Sequence, residues 1–182
     1  LDAHYRELRK WFEDDIQSVE ALEGNKIAKA RFDIYGKSTY PDATFTLRLS
    51  FGKVAGYELG TTKVSYKTTF HGLYDRAASF DGQPPFDLSK KVAEREGQVD
   101  LKTPLNFVTT NDIIGGNSGS PVLNRKGEYV GIIFDGNIQS LVLRYAYTED
   151  KARALAVHSS GILEGLRKIY QMDALADELT RH

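Results

Sequence analysis

The sequence has no cysteine, no long apolar run and almost no net charge, and each of these absences excludes a class of protein. Without cysteine, the 182-residue chain has no disulfide, no thiol nucleophile and no cysteine-based zinc site. Apolar runs such as residues 131–134 fall far short of the roughly 18 residues that a membrane helix needs. The 24 Lys and Arg balance the 25 Asp and Glu, so no overall positive field attracts nucleic acid. A hydrophobic content of 41% predicts a soluble globular domain with a sizeable core.

Histidine is scarce, and its spacing does not indicate a metal site. The four histidines are scattered, and no His-Glu-x-x-His pattern occurs; they are His4, His71, His158 and His182. His71 and His158 adjoin strand-like segments, and for both a structural or surface role is favoured. We therefore expect no metal ion and no cofactor.

The first residues have the pattern of an amphipathic helix. Apolar residues recur at three- and four-residue steps between charged ones: Leu1, Tyr5, Leu8, Trp11, Phe12, Ile16 and Val19. The chain opens without Met, without a secretory leader and without a capping residue ahead of this pattern. We therefore expect an excised piece of a longer protein, whose first helix continues a helical region lying upstream.

A series of strands is predicted after Gly24. Phe45, Leu47, Leu49 and Phe51 alternate with polar residues, which is the period-2 pattern of a half-buried strand. Further strands are predicted at residues 26–35, 63–70, 105–110, 121–123, 129–134, 140–147 and 154–158. Their close spacing between turn residues is typical of a barrel or a sandwich.

Two other segments differ from this strand pattern. Residues 74–97 mix glycine, proline and charge, which predicts a long solvated loop with one helical turn at most. After the last strand, Ser159 or Ser160 can cap a helix. Its apolar face consists of Ile162, Leu163, Leu166, Ile169 and Tyr170.

One motif carries chemistry: residues 115–121, Gly-Gly-Asn-Ser-Gly-Ser-Pro. A nucleophilic serine needs an exposed Oγ on a tight turn, with backbone N–H groups aimed at the oxygen that becomes negative. Glycine permits that turn because it has no Cβ, and Gly116 can direct its own N–H and that of Ser118 into one anion hole. A short Gly-x-Ser-Gly string is also common in plain hairpins, so both interpretations stay open at this point.

The longer string resembles known peptidases. Residues 116–121 are similar to the Gly-Asp-Ser-Gly-Gly-Pro motif of chymotrypsin-like serine peptidases, with Asn117 in place of Asp and Ser120 in place of Gly. Both changes resemble the bacterial dipeptidyl peptidases that combine a chymotrypsin-type double barrel with a helical lid. The further stretches that resemble this family are residues 111–122, 129–137 and 157–163.

The resemblance implies a fold and a domain organisation. The fold is expected to be mostly β, a chymotrypsin-like C-terminal β-barrel with an N-terminal lid-domain helix and a C-terminal helix. Residues 1–24 would end the lid domain, and residues 25–182 would form the barrel and the last helix. In this family the catalytic His and Asp precede the lid, which implies that both lie upstream of this chain. The chain would then depend on a missing N-terminal barrel and lid, and alone it is expected to be inactive.

The resemblance also implies roles for individual residues. Ser118 is expected to be the nucleophile, with the N–H groups of Gly116 and Ser118 as oxyanion hole. Asp135 is expected to bind the free α-ammonium of the substrate, although its Phe-Asp-Gly-Asn context also fits a hairpin turn. Gly136 stands where the acidic-preferring branch carries Arg, so cleavage after a hydrophobic or aromatic second residue is expected. Asp112 lies near the place of trypsin's basic-selecting carboxylate, and loop geometry is expected to turn it away.

These features together predict a serine-type dipeptidyl peptidase that releases N-terminal dipeptides from oligopeptides. A trypsin-like endopeptidase and a noncatalytic binding domain are the alternatives. The resemblance implies a location in the periplasm or on the outer surface of a Gram-negative bacterium. We expect no nucleic-acid partner and no membrane span, and the residues leave monomer and homodimer both open.

Overall fold

The computed structural model describes residues 2–36 and 47–181. The chain divides into two compact units, Leu1–Thr44 and Phe45–His182. The division expected between residues 24 and 25 lies at another place, inside the helix that spans Ser18–Tyr35. Within the described ranges, no helix has both the length and the apolar character needed to cross a membrane.

The smaller unit consists of two helices joined by a π-helical turn. They are α1 (Asp2–Trp11) and α2 (Ser18–Tyr35), with the π turn at Phe12–Gln17. The amphipathic helix predicted at the N-terminus is confirmed from Asp2 onwards. The strand predicted at residues 26–35 is wrong, because this stretch continues α2. Alanine, lysine and arginine, which are strong helix formers, fill much of it, and the helix ends at Gly36, whose φ is +57°.

The larger unit is built on an antiparallel sheet. Its strands are β1 (Tyr57–Leu59), β2 (Thr62–Val64), β3 (Lys67–Thr69), β4 (Pro104–Thr109), β5 (Pro121–Leu123), β6 (Tyr129–Gly136) and β7 (Ala154–His158). Five of them form one sheet in the order β3-β4-β7-β6-β5, and β1 and β2 form a separate hairpin. The strands predicted at β4, β5, β6 and β7 are confirmed, and the one predicted at residues 63–70 is divided into β2, β3 and the start of a helix.

The expectation of a mostly β chain is wrong for the part of the chain that the structure describes. Helical segments occupy 46% of it, more than the strands do. The larger unit contributes α3 (Phe70–Ser79), α4 (Lys90–Ala93), α5 (Ser159–Glu164) and α6 (Asp173–Thr180). The five-stranded sheet is open between its edge strands β3 and β5, so it is not a closed barrel among these residues.

The strand predicted at residues 140–147 is also wrong. Residues Ile138–Arg144 form a 3₁₀ helix, although their apolar content resembles that of a strand. The turn begins because the carbonyl of Asn137 accepts two hydrogen bonds from Ser140, one from its amide at 2.8 Å and one from its hydroxyl at 2.6 Å. A side chain that bonds back three residues competes with sheet pairing.

The segment 74–97 is more structured than a solvated loop. It begins inside α3 and contains α4, and Tyr74 lies in a buried cluster with Phe70, Val99 and Ile169. The Tyr74 hydroxyl donates to the carbonyl of Val92 at 2.9 Å. This cluster joins the middle of the chain to the helices that follow β7. The first of these, α5, is capped by the side chain of the residue before it, His158, rather than by a serine.

Residues 47–51 follow the predicted alternation without forming a strand; Phe45, where the predicted strand starts, lies outside the described residues. The polar members of the segment face the protein: Arg48 pairs with Asp112 at 3.1 Å, and the Ser50 hydroxyl donates to the Asp112 carbonyl at 2.8 Å. The apolar members point outward, namely Leu47, Leu49 and Phe51, which are 106%, 87% and 84% exposed. The prediction that the apolar side chains of this segment are buried and the polar ones exposed is therefore wrong for residues 47–51, where the reverse is found.

Candidate active site

A tight loop between β4 and β5 holds the candidate nucleophile. Asn117 closes the loop from both sides, because its side-chain oxygen accepts from the Ile114 amide at 2.8 Å and its own amide donates to the Ile114 carbonyl at 3.1 Å. Gly116 has a φ of +101° and Gly119 a φ of +88°, values that side chains disfavour. The two glycines thus let the chain turn sharply on either side of Ser118.

The loop is fixed to strand β6. The Gly119 amide donates to the Ile133 carbonyl at 2.8 Å, and the Ile133 amide donates to the Ser120 carbonyl at 3.0 Å. Ser118 itself is exposed, and its Oγ donates to the carbonyl of Phe134 at 3.3 Å. The serine therefore lies at the surface, beside a defined point on β6.

The amides around Ser118 divide into engaged and free groups. Those of Asn117, Gly119 and Ser120 donate to protein carbonyls. Those of Gly116 and Ser118 make no hydrogen bond to any residue that the structure describes. These two are the amides that the sequence assigns to the oxyanion hole, and they are available to a ligand oxygen.

Asp135 and Gly136 are the last two residues of strand β6, and they directly follow Phe134, whose carbonyl contacts Ser118. The pairing of β6 with β7 shifts between Ile133 and Asp135, so β6 bulges at Phe134, next to the serine. Asp135 is exposed, and its carboxylate accepts from the Gly136 amide at 2.7 Å. The structure therefore brings the predicted Ser118, Asp135 and Gly136 together within one stretch of surface.

Gly136 has little space above its Cα. A Cβ placed there would collide with the Ser140 hydroxyl, and it would lie 3.1 Å from the Ser140 Cβ and 3.2 Å from the Ile113 Cδ1. Ile113 packs on the buried cluster of Phe107 and Ile133. One wall beside Gly136 is thus apolar, and the other is a hydroxyl.

The backbone after Gly136 is held by residues that no sequence pattern singles out. Asn137 donates its amide to the Arg153 carbonyl at 3.0 Å and accepts the Arg153 amide on its side-chain oxygen at 2.8 Å. The Arg153 guanidinium is buried and donates to four backbone carbonyls, those of Ala55, Gly56, Glu149 and Ala152. A lone arginine between alanines has no local pattern that reveals such a role.

Asp112 is engaged away from the serine. Its carboxylate pairs with Arg48, and both side chains are largely buried, with 17% and 19% exposure. Burial raises the pKa of the Asp112 carboxyl, and the Arg48 charge offsets part of that rise. The expectation that Asp112 is turned away from substrate stays a prediction; what the structure shows is its pair with Arg48.

Neither described histidine of the larger unit serves Ser118 as a base. His71 begins helix α3 beyond β3, and three strand spacings separate β3 from β6, or about 14 Å. His158 accepts the Ser160 amide on its Nδ1 at 3.1 Å and packs edge-on against Phe107. Burial, with a smaller effect of Lys67, lowers the pKa of His158. His182 lies outside the described residues.

No group of three or more His, Asp or Glu side chains suited to a metal ion occurs in the part of the chain that the structure describes. What the site does contain is an exposed hydroxyl beside two free amides and a carboxylate. That arrangement is typical of the acyl-transfer class of enzymes.

Comparison with known proteins identifies the family. The model of the peptidase S46 family matches residues 1–181, and the chain belongs to that family. A dipeptidyl-peptidase 7 from Capnocytophaga gingivalis is 34% identical over 78% of this chain and 21% of its own length. An Asp/Glu-specific dipeptidyl-peptidase from Shewanella putrefaciens is 31% identical over 90% of this chain and 28% of its own length.

A solved structure is similar as well. The crystal structure of Porphyromonas endodontalis DPP11 in complex with the dipeptide Arg-Asp superposes with a TM-score of 0.70 at 26% identity, covering 83% of this chain and 23% of that one. The chain thus spans between 21% and 28% of the length of these relatives.

Proposed function

We propose that this chain supplies the nucleophile and the oxyanion hole of a serine-type dipeptidyl peptidase, in which Ser118 becomes acylated. The observation that carries the proposal is the pair of free amides, Gly116 and Ser118, at an exposed serine, while the amides of Asn117, Gly119 and Ser120 are engaged. The names of the family relatives, dipeptidyl peptidases, support the choice of substrate class.

In the first step, a base accepts the Oγ proton of Ser118 as the oxygen attacks the carbonyl carbon of the second peptide bond. The carbonyl oxygen becomes negative and receives hydrogen bonds from the Gly116 and Ser118 amides. When the C–N bond breaks, the same base returns its proton to the departing amine, and the dipeptide remains as an ester on Ser118. Water then hydrolyses the ester by the reverse sequence of proton transfers.

The base comes from outside this chain. His71 is distant from Ser118, and the Nδ1 of His158 is occupied by the Ser160 amide. The family resemblance supports a histidine and an aspartate on a preceding barrel, with the helical residues 2–35 belonging to a lid. We infer a chymotrypsin-like double barrel for the complete enzyme, whose second barrel includes the open sheet of this chain.

Asp135 selects substrates with a free N-terminus. Its exposed carboxylate follows Phe134, whose carbonyl contacts the Ser118 hydroxyl, so it stands at a fixed distance from the nucleophile. A carboxylate there attracts an α-ammonium and sets how many residues fit between that ammonium and Ser118. This fixed distance between the ammonium site and Ser118 makes the enzyme an exopeptidase.

The second substrate residue is hydrophobic or aromatic. The position next to Asp135 is a glycine, and the side chains around it are Ile113 and Ser140, neither of which carries a charge. The nearby buried Arg153 directs four hydrogen bonds, at least one from each of its three nitrogens, at backbone carbonyls. Among the described residues, the side chains closest to Gly136 offer no cation to an acidic side chain, and a carboxylate is bound best by such a partner. The oligopeptide substrates and a periplasmic or outer-surface location complete the proposal by family resemblance.

The test is dipeptide release by the full-length protein that contains this chain. Substrates of the form X-Leu and X-Asp, each with a fluorogenic amide leaving group, are offered with a free and with an acetylated N-terminus. We expect cleavage of the free-amine X-Leu substrate, loss of cleavage on acetylation, and no activity in Ser118→Ala. A fluorophosphonate should label the wild type and not this variant.

Each result that differs from these expectations would indicate a different function or specificity. Cleavage of the acetylated substrates would indicate an endopeptidase, and preference for X-Asp would reassign the specificity. Absence of labelling and cleavage would favour the noncatalytic binding domain. Activity of the 182-residue chain alone would show that a base lies within it.

A further inference from the structure

The side chain of Ser140 occupies the space that any side chain at position 136 would need. An added Cβ at Gly136 meets both the hydroxyl and the Cβ of Ser140. Rotation of the hydroxyl relieves the first contact only, and it breaks the 2.6 Å bond to the Asn137 carbonyl. The contact with the Ser140 Cβ, at 3.1 Å, persists in every rotamer.

The backbone that carries Ser140 is braced against movement. Its amide and its hydroxyl both bond to the Asn137 carbonyl. The Asn137 side chain in turn donates to the Lys151 carbonyl at 2.7 Å and accepts the Arg153 amide at 2.8 Å. Relieving the collision at Gly136 therefore requires a shift of the 3₁₀ turn that strains these hydrogen bonds.

We propose that Ser140 is a specificity-determining residue, which keeps position 136 free of a side chain and so closes this part of the cleft to a charge-selecting group. The inference rests on the proposed function, because it assumes that Gly136 borders the second substrate residue. It adds that the glycine alone does not define the preference: Gly136 and Ser140 act as a pair, and giving position 136 a side chain while Ser140 is kept gives a poor enzyme for both substrate types.

The experiment is a double-mutant cycle in the full-length protein, with kcat/KM measured on free-amine X-Leu and X-Asp substrates. We expect Gly136→Arg to lower kcat/KM on X-Leu about tenfold without a matching gain on X-Asp, because its side chain collides with Ser140 beside the substrate. Ser140→Gly alone should retain the X-Leu preference. The combination of both substitutions should cleave X-Asp about tenfold better than Gly136→Arg does.

A control pair separates this coupling from a general loss of stability. Gly97 lies in a short 3₁₀ turn where an added Cβ meets no atom within 4 Å. Gly97→Ala combined with Ser140→Gly should give strictly additive effects on kcat/KM and should leave the ratio of X-Leu to X-Asp cleavage unchanged. If Ser140 had a merely structural role, its substitution would lower kcat/KM on both substrates by the same factor and leave that ratio constant.

Two results would overturn the proposal while leaving the peptidase function intact. One is a Gly136→Arg enzyme that prefers X-Asp as strongly as the double variant does. The other is a double variant whose substrate ratio equals that of the wild type. By contrast, a wild type that cleaves neither substrate, or that prefers X-Asp, refutes the proposed function itself, before Ser140 is tested.

Discussion

Replacing Arg153 by methionine should destabilise the site region more than any exposed substitution. Methionine keeps the aliphatic stem and removes the donors. The guanidinium is part of a residue only 5% exposed, and it makes four hydrogen bonds of 2.7–2.8 Å to backbone carbonyls. Each of these hydrogen bonds from a charged donor to a buried or half-buried carbonyl contributes about 1 kcal/mol, so the loss is about 4 kcal/mol. That is a large part of the stability of an ordinary domain.

The assay is amide hydrogen exchange in the full-length protein, followed by mass spectrometry of peptides that contain Ala55 and Asn137. A loss of about 4 kcal/mol corresponds to roughly a thousandfold faster exchange through local opening. Asn137 is the informative position, since its amide donates to the Arg153 carbonyl.

Two further variants make the measurement specific. Arg153→Lys keeps the charge but concentrates its donors at one atom, so it should recover only part of the protection. Arg125→Met alters an exposed arginine in the turn between β5 and β6, and it should leave exchange unchanged. If Arg153→Met accelerates exchange less than tenfold, or if Arg125→Met matches it, the four carbonyls are not held as the structure indicates, and the reasoning fails.

Three other predictions address the site. Asp135→Asn should lower kcat/KM on free-amine substrates roughly 10- to 100-fold, the worth of a charged hydrogen bond; an unchanged kcat/KM on these substrates would contradict an ammonium-binding role. Asn117→Ala should reduce kcat about tenfold with little change in KM, because it loosens amides used only in the transition state, whereas Asn117→Asp, which keeps the acceptor for Ile114, should retain most activity. The lowered pKa of His158 means that the unfolded chain binds its proton more readily, so stability should fall as pH drops below about 6.5. The melting temperature of His158→Asn should depend less on pH across that range, and a slope equal to that of the wild type, or an equal change in the exposed His71→Asn, would refute this.

The parts of the fold that follow local patterns could be predicted from the sequence. Strands β4 to β7 have apolar runs bounded by turn residues, and the loop around Ser118 has glycines at the positions that require positive φ. The segment at residues 26–35 could not be separated from a strand by its apolar residues alone. Its helix formers decided the outcome, together with continuity with the preceding helix.

Features that depend on long-range pairing were out of reach. The bonds of Asn137 to Arg153, and of Ser50 to Asp112, join residues 16 and 62 positions apart. Nothing in the spacing of single residues indicates such a pair. The collision between a side chain at position 136 and Ser140 depends on a 3₁₀ turn. The apolar residues at 140–147 predict a strand there instead.

The outward row formed by Leu47, Leu49 and Phe51 has a practical consequence for work with the 182-residue chain. Alternating apolar side chains on an extended segment without ladder pairing are a template for intermolecular β-pairing. We therefore expect the isolated chain to self-associate as its concentration rises, visible as a growing mass in light scattering. Replacing Leu49 by lysine should suppress that growth without disturbing the buried pair of Arg48 and Asp112. Unchanged aggregation of that variant would show that another surface causes the self-association. A soluble variant for structural work would then require substitutions on that other surface.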